Sequence, residues 1–191
     1  MNKFLIVALS AAASISGCKS IPNSATDTLS EPQGNGALAI ATNISKYDSS
    51  YPCETFSFDI QEKVDGKLVD SEPQTLRVFV YEDTKYALFD GIKPGNYVLT
   101  QFRCNMRRGL VANDGRSYLS LDLETEHTIK ANTITMSSNF IQATQDEDRS
   151  FALNVGIWQS QDVVHFQNLL TNEVSNKWEV SNKWEVGGFE G

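Results

Sequence analysis

Few side chains in this sequence can do covalent or acid–base chemistry. Its two histidines are His127 and His165. An imidazole beside a serine and a carboxylate can activate the hydroxyl for acyl transfer, and such triads are defined by geometry and not by chain order. No Gly-x-Ser-x-Gly elbow occurs to offer a nucleophile. Both histidines therefore read as surface or rim residues, and a hydrolase using either one stands as the competing reading. Asp146-Glu147-Asp148 lacks the Asp-x-Asp-x-Asp-Gly spacing and distal Glu of a calcium loop. It reads as a solvated acidic loop. Carboxylate pairs for glycosidic chemistry are set by separation in space and are not readable here. Two of the three cysteines, Cys53 and Cys104, are isolated in sequence from each other and from both histidines, so zinc-ligand spacing is missing. No metal is expected. Arg103, Arg107 and Arg108 form the one local basic cluster of an acidic chain. Arginine is enriched at interfaces, so the cluster suits a carboxylate-rich or phosphate-bearing partner. The competing reading is a solvated loop.

What positions these residues begins at the N-terminus. Met1-Asn2-Lys3 gives one positive charge, Phe4 to Leu9 is apolar, and small residues follow to Gly17. Charged start, apolar middle and small-residue end make a secretion signal. The apolar part is shorter than the ~20 residues a permanent membrane helix needs. Ile15-Ser16-Gly17-Cys18 resembles the bacterial lipobox. That resemblance implies cleavage after residue 17, diacylation of the Cys18 sulfur and acylation of its new amine, with no cofactor beyond that covalent lipid (palmitate and its like). The alternative is an ordinary signal cut nearby that leaves a free thiol. One acyl chain binds a membrane only marginally, at about 0.8 kcal/mol per buried methylene, whereas several on one residue anchor firmly. Lys19 resembles the sorting residue of outer-membrane lipoproteins. This implies an outer-membrane anchor on the periplasmic face.

Removing residues 1–17 takes one lysine from the 191-residue chain and leaves 174 residues, with net charge −9 against −8 for the whole. That is one domain's length. The negative balance speaks against nucleic acid, whose phosphates require a positive surface. With Cys18 lipidated, Cys53 and Cys104 remain. In an oxidising compartment an even remainder suggests one disulfide, closing a long loop. Two separate buried thiols are the alternative. Tyr47 and Tyr51 lie just before Cys53, so the bridge would bring them near the arginines. Tyr47, Tyr51, Arg103, Arg107 and Arg108 form the candidate partner-binding surface.

Residues 18–35 are polar with two prolines and read as a lipidated flexible tether, with a single domain over 36–191. Gly36 to Ile44 reads as a first strand. Glu54 to Val64 alternates Phe56, Phe58, Ile60 and Val64 with polar residues, the period of a strand with one buried face. Asp65-Gly66 follows, a hairpin dipeptide, and Lys67-Leu68-Val69 returns. Leu76–Tyr81, Tyr86–Phe89, Tyr97–Cys104, Tyr118–Leu123, 127–130, 133–136 and 151–157 read as further strands. Pro94-Gly95 suits a type II turn, Ala131-Asn132 a tight turn, and Gln142–Ser150 a polar loop. If the strands ending at Cys53 and Cys104 pair antiparallel, their sulfurs meet.

One short helix is expected near 162–171, with Asp162 as its cap. Val163, Phe166 and Leu170 share one face, with Val164 and Leu169 at its edges. The tail repeats itself: Glu173–Trp178 and Glu179–Trp184 are identical hexapeptides. Six is even, so a strand would project Val174, Trp178, Val180, Trp184 and Val186 on one face. One copy would finish the sheet and the other overhang as a sticky edge.

Tyr86 to Phe102, with Ile92-Lys93-Pro94-Gly95-Asn96-Tyr97, resembles the strand–turn–strand of transthyretin-like and carboxypeptidase-regulatory-like β-sandwiches. The resemblance implies a mainly β, antiparallel sandwich of about seven to eight strands, here with the C-terminal helix and a terminal strand. It also implies a binding or accessory role more than catalysis. The expectation is a non-enzymatic binding or structural module of the cell envelope, meeting an envelope protein or cell-wall component. The alternatives are an immunity-type or inhibitor lipoprotein that neutralises a periplasmic enzyme, and the envelope hydrolase.

Overall fold

A computed structural model describes residues 29, 31–81, 84–157, 160–174 and 177–181. The secretion signal, the lipobox and the end of the tail lie outside them. Among the described residues the chain forms β1 (Gly36–Ser45), β2 (Cys53–Val64), β3 (Lys67–Leu68), β4 (Gln74–Phe79), β5 (Tyr86–Ile92), β6 (Gly95–Met106), β7 (Tyr118–Ile129), β8 (Thr133–Gln145), β9 (Phe151–Ile157), α1 (Ser160–Val174) and β10 (Glu179–Val180). The protein is mainly β, a two-sheet sandwich with one helix. One sheet runs β5-β1-β8, with β9 along the upper part of β8 and β10 along its lower part. The other runs β2-β6-β7, with β4 and β3 sharing the free side of β2.

The inner faces meet in a core of Leu38, Ile40, Phe56, Phe58, Ile60, Phe89, Leu99, Phe102 and Ile141, with Cys53 and Cys104. Phe58 lies with its ring centroid 5.7 Å from Phe89 and 5.1 Å from Phe102, so aromatic contacts tie the two sheets. The alternation of β2 produces this: one parity enters the core and the other faces out. Asp65 and Gly66 both take positive φ, 50° and 77°, as the primed hairpin turn requires.

β1 departs from simple alternation. All of Gly36–Thr42 is buried, because Ala37, Ala39 and Ala41 pack into a second cluster with Tyr86, Leu88, Ile134, Met136, Phe166 and Leu170. The helix covers the outer face of this sheet and adds a third layer. Strands covered on both faces are characteristic of parallel pairing, and β1 does run parallel to β8. The other long ladders are antiparallel.

Several expectations are corrected. Gly95 opens β6, and the left-handed glycine is Gly91 (φ 66°) in the bulge of β5. β5 and β6 belong to different sheets, so Lys93-Pro94 is a crossover and not a hairpin. Tyr97 locks it: its hydroxyl donates to the Lys93 carbonyl at 3.1 Å, the arrangement of a tyrosine corner. Asn132 (φ 57°) likewise turns the chain from one sheet to the other. The two strands expected over 118–123 and 127–130 are the single strand β7. β8 continues to Gln145, which shortens the polar loop to 146–150. Asp162 lies inside the first turn of α1 and does not cap it. Val164 is exposed. Glu173 and Val174 end the helix, so the first hexapeptide does not lie along a strand.

The described part of the expected tether, Leu29 and residues 31–35, meets the domain. Leu29 is buried in the outer cluster, Glu31 pairs with Lys177, and Gly34 N donates to Asn132 Oδ1 at 2.9 Å. An apolar side chain with a site to fill extends the folded domain below residue 36.

Candidate functional site: the loop end of the sandwich

The direction of β1 separates two ends of the sandwich. The chain enters at Asn35 beside the 130–132 turn, where Asn132 N donates to the Asn35 carbonyl at 2.8 Å. It leaves β1 at Ser45, ten residues on. At about 3.3 Å per residue the ends lie roughly 30 Å apart. The far end carries the loops 46–52, 107–117 and 146–150.

These loops are braced together. Gln145 is buried; its Oε1 accepts from Tyr47 N and Asp48 N, both at 3.2 Å, and its amide donates to Ser50 Oγ at 2.9 Å. Arg149 bonds Asp48 Oδ2 at 2.9 Å across two loops. Donation by Ser50, and then by Arg149, holds the Asp48 carboxyl below the usual range. The disulfide Cys53–Cys104, with Cα atoms 5.3 Å apart, ties the base of loop 46–52 to the end of β6. In the antiparallel β2–β6 ladder Cys53 faces Met106 and Cys104 faces Phe56, with a register shift between Cys53 and Thr55, so the bridge joins the cysteines diagonally. Beyond it, Arg107 N donates to the Pro52 carbonyl and the Arg107 guanidinium to the Ser49 carbonyl, each at 2.9 Å. Arg116 binds Asp114, which keeps the Asp114 carboxyl low, and its guanidinium lies 5.2 Å from the Tyr118 ring centroid.

The candidate residues divide accordingly. Tyr47, 54 % exposed, joins Arg107 and Arg108 at this end. Tyr51 is withdrawn from the surface. Its ring is fully buried, edge-on to Phe151, and its hydroxyl donates to the Ala143 carbonyl at 3.3 Å. Burial pushes its ionisation far up. Tyr51 is thus a core residue because its ring fills the gap between the sheets. Arg103 projects instead from the outer face of β6, where it pairs with Asp59. Around it Asn105 Nδ2 donates to Thr55 Oγ1 at 3.1 Å and Ser57 Oγ at 2.6 Å, and Thr75 Oγ1 donates to Asp59 Oδ1 at 2.7 Å. That face is a polar lattice, in which Arg103 Nε is buried with no partner among the described residues.

Sequence reasoning missed Leu110 and Val111. Val111 is 63 % exposed and Leu110 42 %, beside two guanidiniums that have no carboxylate partner among the described residues. Their signal was two branched apolar residues inside a Gly- and Asn-rich stretch, Arg108-Gly109-Leu110-Val111-Ala112-Asn113. The surface can take an anionic group on its arginines while Leu110, Val111 and Tyr47 shed water against an apolar neighbour.

Elsewhere the chemistry is sparse. A cleft of about 280 Å³ near the opposite end is lined by Ile60, Glu62, Glu72, Lys93 and Tyr97, among others. Burial, then the nearby Glu62 carboxylate, raises the Tyr97 phenol. His127 points inward from β7 and is 6 % exposed; burial pushes its imidazole down to about 4, and Nε2 has no partner among the described residues. His165 is exposed on α1. Among the described residues no group of three His, Cys, Asp or Glu is placed to hold a metal, and no helix is long and apolar enough to cross a membrane. No protein-family model, curated protein or solved structure matches this chain.

Proposed function

We propose that this protein is an outer-membrane lipoprotein on the periplasmic face, anchored through Cys18. It acts as a non-enzymatic binding module whose loop end engages another envelope protein or a cell-wall component. The observation that carries this reading is polarity of placement: the N-terminal segment joins the sandwich at one end, and Tyr47, Arg107, Arg108, Leu110 and Val111 lie at the other. Ten residues lie between Cys18 and Leu29. A flexible chain of that length typically spans about 20 Å, less than the roughly 30 Å length of β1. The arginine end then faces away from the bilayer, toward the envelope. The partner surface it suits carries carboxylate or phosphate groups beside an apolar patch.

Mass spectrometry of the mature protein tests the anchor. Triacylated Cys18 is expected, and an unmodified thiol overturns it. A photo-crosslinking amino acid at Val111, in cells, tests the loop end. It should yield a defined adduct that Arg107→Glu/Arg108→Glu abolishes. Adducts that persist in that variant, or that form equally from exposed Ile157, overturn it.

A further inference from the structure

Among the described residues one socket holds a tryptophan of the tail, and the sequence carries two copies of the segment that fills it. Lys177-Trp178-Glu179-Val180 recurs unchanged as Lys183-Trp184-Glu185-Val186. The first copy is seated. Trp178 is 7 % exposed among Ile134, Met136, Phe166 and Leu170, Val180 packs at the margin, and Lys177 pairs with Glu31. Main-chain bonds hold the strand itself: Glu179 N donates to the Asn132 carbonyl at 3.1 Å and Ser181 N to the Ile134 carbonyl at 3.0 Å. A backbone ladder accepts any residue with an N–H.

We infer that the Trp178 socket is a binding site for the segment Lys-Trp-Glu-Val, and that the second copy of this segment exchanges into it by a six-residue shift of register. Each side chain that meets the domain is then replaced by its own kind: Lys183 opposite Glu31, Trp184 in the socket, Glu185 and Val186 on β8. Gly187 follows where Ser181 stood and keeps the N–H that the Ile134 carbonyl accepts. The shift is even, so no side chain changes face.

The registers differ in the link from α1. Residues 175–177 join Val174 to Trp178, whereas residues 175–183 would join Val174 to Trp184. Closure probability falls as the three-halves power of length, so tripling the link lowers the second register's population about fivefold. A second molecule offers the same segment, but a short link keeps Trp184 at a millimolar effective concentration. At micromolar protein the occupant is therefore the same chain. Exchange shortens the chain that lies beyond the sheet by six residues. The socket thereby sets how much C-terminal sequence lies beyond the sheet.

The test compares Trp178→Ala, Trp184→Ala and the double variant in the full chain, by urea unfolding followed by circular dichroism. Trp184→Ala should leave the folding constant almost unchanged. Trp178→Ala should lower it only about sixfold, because the second register takes over. The double variant should lose about a hundredfold or more, as a buried Trp→Ala change does. Trp178→Ala as damaging as the double variant overturns the inference, and so does a double variant as mild as Trp178→Ala. A Trp178→Ala protein whose stability rises with concentration as it dimerises also overturns it. As a direct readout, Thr133 and Glu179 are ladder partners. Thr133→Cys with Glu185→Cys, in the Trp178→Ala background, should form an intramolecular disulfide. Failure to form one, where Thr133→Cys with Glu179→Cys in the otherwise unchanged chain does, overturns the exchange.

Discussion

His127 should make this domain acid-labile with a sign and window fixed by its burial. The imidazole lies inside the sandwich, and its proton affinity falls from an ordinary 6.5 to about 4. Above pH 6.5 both folded and unfolded chains hold it neutral, so it contributes nothing to the pH slope. Between pH 6.5 and 4 the unfolded chain takes up a proton that the native chain refuses, so stability falls as pH falls. At 1.36 kcal/mol per pK unit, the full loss approaches ~3 kcal/mol near pH 4 and then levels off. His127→Leu keeps a buried side chain of similar size and binds no proton. At pH 7 the variant should match the parent or exceed it by about 1 kcal/mol, since Nε2 is buried without a partner among the described residues. Urea unfolding of both proteins at pH 7, 6, 5 and 4 gives the comparison. The carboxyls of Asp48, Asp114 and Asp148 are held low by Ser50, Arg116 and Ser150 in both proteins, so their acid titration cancels in the difference. The gap between the curves should open by ~3 kcal/mol across this range. Parallel curves would refute the reasoning.

Reduction of Cys53–Cys104 should cost about 4 kcal/mol by the chain-entropy relation, given a separation of 51 residues; urea midpoints with and without reductant check it, and coincident midpoints contradict it. Arg103→Ala strips Asp59, whose side chain is 13 % exposed, of its cation, and should cost ~1–3 kcal/mol, more than an exposed pair and less than a fully buried one. A double-mutant cycle with Asp59→Ala should recover part of that loss. Gly36→Ala would place a Cβ 2.4 Å from the Lys130 carbonyl oxygen and 2.3 Å from Ile129 Cγ2; because the first is backbone, a loss of ~2–3 kcal/mol is expected in thermal or urea unfolding.

Local signals in the sequence were reliable where the structure is local. The alternation of Phe56, Phe58 and Ile60 and the Asp65-Gly66 turn read correctly, because side-chain parity and positive φ are properties of neighbouring residues. The helix face of Phe166 and Leu170 was legible for the same reason. Connections between sheets were not. Lys93-Pro94 and Ala131-Asn132 reverse the chain as a hairpin turn would, and nothing nearby states that the next strand joins the opposite sheet. β1 offered a clue in Ala37-Leu38-Ala39-Ile40-Ala41, an unbroken apolar run and not an alternation, which marks a strand covered on both faces. At the loop end, the placement of Tyr47, Arg107 and Arg108 followed from the cysteine pairing. The inward turn of Tyr51 did not, because it depends on Phe151 and Ala143 arriving from far along the chain.

The parallel pairing of β1 with β8 bears on the order in which the molecule can be assembled. Ala37 meets Ile134, 97 positions later, and on its other side Ala41 meets Tyr86. Contacts of such span form slowly, since loop closure must precede any gain from pairing. In a chain delivered from its N-terminus, the apolar strand that will lie at the centre of its sheet emerges first and is completed late. During that interval both of its edges are open to any other extended chain. The segment most shielded in the finished protein is therefore the one most at risk while it is being made.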